Sequence, residues 1–272
     1  MKRRLYLAYG LAMYLMFLGV YAYFAGFTGN FLVPRSIDTP VTSTTTVAVA
    51  VNLLLVVVFA VQHSVMARPA FKRWWTRIIP QPIERSTYLL AANLATMLLV
   101  WQWRPIATVV WDVQQPVARA GLWAMFAAGW LSVPAASLLI NHFDLFGLRQ
   151  VWLHFRGRPY TALPFRTPLA YAHVRHPLYL GWALAFWATP TMTAGHLLFA
   201  GSLTVYMAMA AFIEESDLIA HFGHNYHQYR QQVPMLVPRL RPVRTLDGNA
   251  AEFEVNLSSG HKRTGEVQHV EG

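Results

Sequence analysis

Two short stretches carry the side chains that could do chemistry. The first is Tyr171-Ala-His173-Val-Arg175-His176-Pro177-Leu178-Tyr179; the second begins at the paired carboxylates Glu214 and Glu215. Between them, 177–213 is uncharged for 37 residues. Two acids at the end of an apolar helix are costly to insert deeply, so they must sit at a membrane boundary or face a polar cavity. Read blandly, they cap that boundary, and the histidine and arginine beside Pro177 anchor it from the other strand of the chain. Read chemically, the acids face a polar cavity near the mouth of the apolar run, where the histidine and arginine also stand. Three other titratable groups stand apart: His63 within an apolar run, and His142 and Asp144 just after another. His63 also suits helix packing, and Asp144 suits an ion pair with Arg149.

The elements that must position these groups are membrane helices. The chain has 272 residues, 55% of them hydrophobic and 12% charged. Uncharged runs cover 5–27, 45–66, 86–103 and 121–142. About 20 apolar residues cross a ~30 Å hydrocarbon core, so each run is one crossing. The fifth run, 177–213, is too long for one and is broken by Thr189-Pro190-Thr191 and Gly195, which predicts a helical hairpin. Its first arm, 178–188, is about 17 Å if helical and short for a full crossing. Irregular backbone at such depth needs a cover of protein or a cavity, so the hairpin is a candidate wall of a binding site. The fold class is therefore all-α: a polytopic membrane protein of about five transmembrane segments, four helices plus the hairpin.

Charge orients this frame. Of 22 basic residues, only Arg35, Arg104 and Arg119 fall in the segments opposite the amino terminus. Such asymmetry is the positive-inside pattern, and it places both termini and the 67–85 loop in the cytoplasm of a bacterial inner membrane. A net charge of +10 thus reflects membrane topology and not a nucleic-acid surface. The apolar stretch of 5–27 exceeds that of a cleaved signal peptide and is expected to remain as a helix. With no cysteine, the chain has no disulfide, thiolate metal site or cysteine nucleophile, and its histidines do not form the opposed pairs of a haem carrier; no metal is expected. Three regions follow: transmembrane helices over 1–142, a catalytic region over 143–240, and a disordered cytoplasmic tail over 241–272, whose polar composition has no apolar period. Glu215, Leu218, Phe222, Tyr226 and Tyr229 fall at helical spacing on one face, and Gly223 is a natural bend or cap among them.

The pattern Arg175-His176-Pro177-x-Tyr179-x-Gly181, then Glu214-Glu215-x-x-Leu218, Phe222-Gly223-x-x-Tyr226-x-x-Tyr229 and Val233-Pro234-x-x-x-Pro238, resembles the signature of the isoprenylcysteine carboxyl methyltransferases and their relatives. The resemblance implies a membrane-embedded fold that binds S-adenosylmethionine at its cytoplasmic face, with Tyr171, His176, Pro177, Leu178, Tyr179 and Glu214 lining the cofactor pocket. Phe165 and Arg166 would add contacts, although Leu163 stands where those enzymes carry a histidine. Ala210 stands where they place an arginine for the substrate carboxylate. Segments 32–38, 62–72, 82–88 and 141–150 resemble instead the bacterial methanethiol S-methyltransferases. That likeness implies a small thiol as substrate and dimethyl sulfide as product.

Methyl transfer from a sulfonium to a thiolate turns two opposite charges into two neutral thioethers, so a water-free pocket favours it. A simple thiol titrates near or above the ~8.5 of cysteine, and a base or a nearby positive field is expected to help remove its proton. His142, Asp144 and His63 are the candidates. Two alternatives stay open on sequence: methylation of a lipid or isoprenylcysteine-type carboxylate, and a nicotinamide-dependent membrane reductase of the sterol-reductase kind, which shares a related carboxyl-terminal region.

Overall fold

The computed structural model describes residues 1–163 and 166–241. Its long helices are α1 (Lys2–Gly29), α2 (Thr45–Ala67), α4 (Glu84–Gln102), α5 (Pro116–Ile140) and α9 (Ala194–Phe222). Shorter helices fill the connections: α3 (Pro69–Trp75), α6 (His142–Leu145), α7 (Leu148–Phe155), α8 (Pro177–Trp187) and α10 (His224–Gln232). The protein is a helical polytopic membrane protein, and four of its helices, α1, α2, α5 and α9, are long and apolar enough to cross a membrane.

The third expected crossing, α4, is long enough at 19 residues but less apolar than those four. The physical reason is where its polar residues point. Ser86 and Asn93 are buried, and Asn93 donates to the Met13 carbonyl of α1 at 3.4 Å. Flanked by α1 and α2, the helix turns its polar side chains toward protein and not toward lipid.

The predicted hairpin is present, and its two arms differ in kind. α8 has 11 residues and α9 has 29, so α9 is about 27 Å longer. The extended stretch 188–193 makes up part of the difference, and a short strand within it was not foreseen. Residues Thr191–Thr193 (β2) pair antiparallel with Val109–Asp112 (β1), Val109 opposite Thr193 and Asp112 opposite Thr191. Pro190 cannot donate but accepts from Val113 N at 2.9 Å, while Thr189 O accepts from Trp111 Nε1 at 3.1 Å. Ala188, Thr189, Met192 and Thr193 are all buried, as irregular backbone in a membrane protein requires. Thr193 then caps α9 by accepting from His196 N at 3.1 Å.

Small residues hold α8 against α5. A Cβ on Gly129 would lie 2.5 Å from the Ala185 nitrogen, and one on Gly181 would strike the Ser132 side chain. Lipid tails are as apolar as leucine, so close backbone approach of this kind does the work that hydrophobic burial does in water. Pro134 interrupts the α5 ladder, and the carbonyl it frees, that of Trp130, accepts from Tyr21 Oη of α1 at 2.5 Å. Around this joint Phe24, Trp130, Trp182, Phe186 and Phe199 pack edge-to-face, drawing the first helices and the hairpin into one core.

Candidate active site

The paired carboxylates meet opposite fates at the end of α9. Glu215 is 2% exposed, and two guanidinium groups and an imidazole surround it. Arg175 Nε donates to its Oε1 at 2.6 Å, His176 Nε2 lies 3.2 Å from the same oxygen, and Arg230 Nε lies 3.2 Å from Oε2. Arg175 also donates to the carbonyls of Arg230 and Val233. Glu215 therefore joins the start of α8, the end of α9 and α10 at one point. The turn into α10 runs through Gly223, which follows α9 with a φ of 54° that favours glycine. Beyond it Tyr226, Tyr229 and Val233 pack with Leu218, Ile219 and Phe222, so the predicted common face persists across the bend.

Glu214 faces the other way. Its side chain is 46% exposed; it accepts from Tyr179 Oη at 2.8 Å and lies 3.8 Å from His176 Nδ1. The rings of His176 and Tyr179 stack at 5.1 Å, one turn apart on a helix that Pro177 opens. Tyr171 completes this mouth. Its peptide carbonyl accepts from Tyr229 Oη at 2.7 Å, whereas its own hydroxyl is buried with no hydrogen-bond partner among the described residues. Burial, and then the charge of Glu214, push the Tyr171 phenol up. Leu178 is half-buried beside them, and Arg166 is exposed in the preceding loop. Phe165 lies outside the described residues.

Behind Tyr179 is a cavity of about 150 Å³, whose lining includes Phe59, His63, Trp182, Tyr206 and Ala210. Its hydroxyls are engaged: Tyr179 with Glu214, Tyr206 with Ser64 at 3.1 Å, Thr96 with the Ala92 carbonyl at 2.9 Å. His63 differs. Its ring stacks on Phe59 at 5.4 Å and leans on Tyr88, and its Nδ1 is buried without a hydrogen-bond partner among the described residues. Tyr179 thus stands as a partition, its hydroxyl on the open carboxylate and its ring on the cavity that His63 also lines.

Methanethiol S-methyltransferase of Mycobacterium tuberculosis is 55% identical to this chain over 238 residues, which are 88% of the chain and 98% of that enzyme. The chain belongs to the methanethiol S-methyltransferase family. The family member of Crocosphaera subtropica is 49% identical over the same share of the chain and 93% of its own length. Nurim of Mus musculus is a more distant relative, 30% identical over 63% of this chain and 68% of that protein. No family model and no solved structure matches. The sequence resemblance thus holds at the level of the family, whose name describes a methyltransferase and therefore a reaction with a methyl donor.

Within this family member, the three candidate bases do not come together. His142 and Asp144 do not line the cavity; they lie at a corner that joins α5, α6 and α1. Ser137 Oγ donates to the Pro134 carbonyl at 2.8 Å and so must accept from His142 Nδ1 at 2.7 Å. The other nitrogen, Nε2, then accepts from Tyr14 Oη at 2.7 Å. Both ring positions are used. Burial lowers the His142 pKa, in keeping with a neutral ring. Asp144 accepts from Arg149 at 3.0 Å, the pairing its sequence position suggested, and from Tyr160 Oη at 3.2 Å. Sequence reasoning missed Phe59, Trp182 and Tyr206 as lining residues. Helical spacing held the signal: Phe59 and His63 are four apart, Tyr179, Trp182 and Phe186 follow steps of three and four, and so do Leu203, Tyr206 and Ala210.

Proposed function

We propose that this protein methylates methanethiol to dimethyl sulfide with S-adenosylmethionine as donor, the donor held at the Glu214 mouth and the thiol in the cavity behind Tyr179. The observation that carries this reading is the partition itself: one side chain, Tyr179, borders both an open carboxylate and an apolar void. The residues present suit the donor. Glu214 is a half-exposed carboxylate for its ammonium or ribose hydroxyls, and Tyr171 is a further candidate beside it. Leu178 and Pro177 offer apolar surface beside them, with Phe165 and Arg166 the remaining candidate contacts. When bound, S-adenosylmethionine supplies a methyl group on a positively charged sulfur.

The chain's own residues do the rest. Arg175, His176 and Glu215 lock the mouth so that Glu214 and Tyr179 keep their relative positions, which is the positioning an in-line transfer needs. The aromatic walls of the cavity exclude water from the site where opposite charges combine. His63, whose side chain lines the cavity, is the candidate acceptor of the thiol proton; a positioned base of this kind contributes about 10²–10⁴ in rate. Ala210 lines the cavity, so the lining there holds no cation for a carboxylate, which supports a neutral small thiol over an isoprenylcysteine-type substrate. The basic end of the bundle, carrying this mouth, faces the cytoplasm of a bacterial inner membrane.

Headspace gas chromatography on cells expressing the protein and fed methanethiol tests the proposal. Dimethyl sulfide well above an empty-vector control is the expected result. None, with insertion and donor binding confirmed, would overturn it in favour of a lipid or carboxylate acceptor.

A further inference from the structure

The cavity behind Tyr179 is larger than methanethiol requires. Its volume is about 150 Å³, and an apolar cavity of roughly that volume admits a six-carbon ring. Methanethiol has only two heavy atoms. Even with part of the space given to the transferring methyl, room remains for a short hydrocarbon chain between Trp182, Phe186, Leu203 and Met207. The polarity of the lining sets the other boundary. The Tyr206 and Thr96 hydroxyls of the lining are already bonded within the protein, that of Tyr179 is turned to Glu214, and the lining holds no Lys, Arg, Asp or Glu among the described residues. A thiol bearing a carboxylate, sulfonate or ammonium would bury its charge here with no counter-ion.

We infer that the enzyme also methylates unbranched alkane thiols from ethanethiol to butanethiol and rejects ionic thiols of similar length, with Ala210 and Met207 setting the length limit. The inference rests on the reading of this cavity as the thiol chamber. In each case the thiol sulfur forms one new S–CH3 bond, the donor's S–CH3 bond breaks with its electron pair left on the donor sulfur, and the thiol proton passes to His63 and on to solvent. Each further methylene that the chamber buries lowers KM by roughly fourfold until the space is filled.

The experiment uses the purified full chain in detergent or liposomes with S-adenosylmethionine and a panel of methanethiol, ethanethiol, propanethiol, butanethiol and 2-mercaptoethanesulfonate. The expected result is ethyl methyl sulfide and methyl propyl sulfide formed with kcat/KM at least equal to that for methanethiol, and the sulfonate at least 100-fold below. Dimethyl sulfide from methanethiol with no product from ethanethiol or propanethiol would overturn the inference and leave the proposed reaction standing. Absence of dimethyl sulfide from methanethiol itself would overturn the proposed reaction. Ala210→Leu sharpens the test, because it should lower the ratio of propanethiol to methanethiol turnover at least tenfold; Ala210→Val is the smaller step should the leucine variant fail to fold. An unchanged ratio in the folded variant would place the length limit elsewhere and overturn the assignment.

Discussion

The α5–α6 corner and the cavity behind Tyr179 each bury a histidine among aromatic rings, yet only one of them is left with something to do. At the corner, His142 closes a chain from Tyr14 through its ring to Ser137 and Pro134, and Asp144 is paired with Arg149 and Tyr160. In the cavity wall, His63 borders the void, and its Nδ1 has no hydrogen-bond partner among the described residues. The same contrast repeats one residue apart on α9, where Glu215 is enclosed by Arg175, Arg230 and His176 and Glu214 is open. Buried polar groups that are fully bonded hold a fold together, whereas those left unpaired at a cavity mark where a ligand completes the bonding.

The sharpest way to break this comparison is at the two carboxylates. Glu214→Ala is expected to abolish donor binding measured by calorimetry while the protein still inserts and folds. Glu215→Ala should do the reverse damage, leaving Arg175 and Arg230 uncompensated and costing about 3–5 kcal/mol of stability. Retained donor binding in the first variant would remove Glu214 from the site. At the histidines, His63→Ala should lower kcat about 100-fold or more without changing donor affinity. Ala210→Arg should reduce turnover at least tenfold by placing a charge in the apolar cavity; wild-type turnover would mean that Ala210 does not face the thiol. The smallest effect belongs to the corner. His142→Ala leaves two hydroxyls unpaired and should cost about 1–3 kcal/mol, with turnover within about threefold of wild type.

The corner also has a pH signature. Because burial lowers the His142 pKa, the unfolded chain takes up a proton near the ordinary ~6.5 that the folded chain does not. Its contribution to stability is therefore complete above about pH 6.5 and declines as the pH falls through the interval down to the folded value. Thermal melts of wild type and His142→Ala at pH 7.5 and 5.5 should show a smaller acid-induced drop in the variant.

Much of this frame is legible in the sequence because lipid permits few charges, and uncharged runs of the right length stand out. The hairpin turn is announced by Pro190, the end of α9 by Gly223, and the ion pair of Asp144 by the nearby Arg149. The β1–β2 pairing is not legible, since it joins four residues to three across about eighty positions of chain and has no local signal. Nor is the lower apolarity of α4 self-explanatory until α1 and α2 are seen to cover its polar side. Within the site, the motif residues His176, Pro177, Tyr179 and Glu214 do converge, but nothing in the pair Glu214-Glu215 says which is pinned. That distinction depends on Arg230, which a bend at Gly223 brings back onto α9. The cavity lining is spread over α1, α2, α4, α8 and α9, and only the packing of those helices brings it together.

The most direct measurement is turnover of methanethiol by His63→Ala and His142→Ala side by side, each purified, folded and saturated with S-adenosylmethionine. Loss of about 100-fold or more in the first, with the second near wild type, is the predicted result. The opposite ranking, with both proteins folded and binding the donor, would contradict the assignment of the cavity as the place where the thiol reacts.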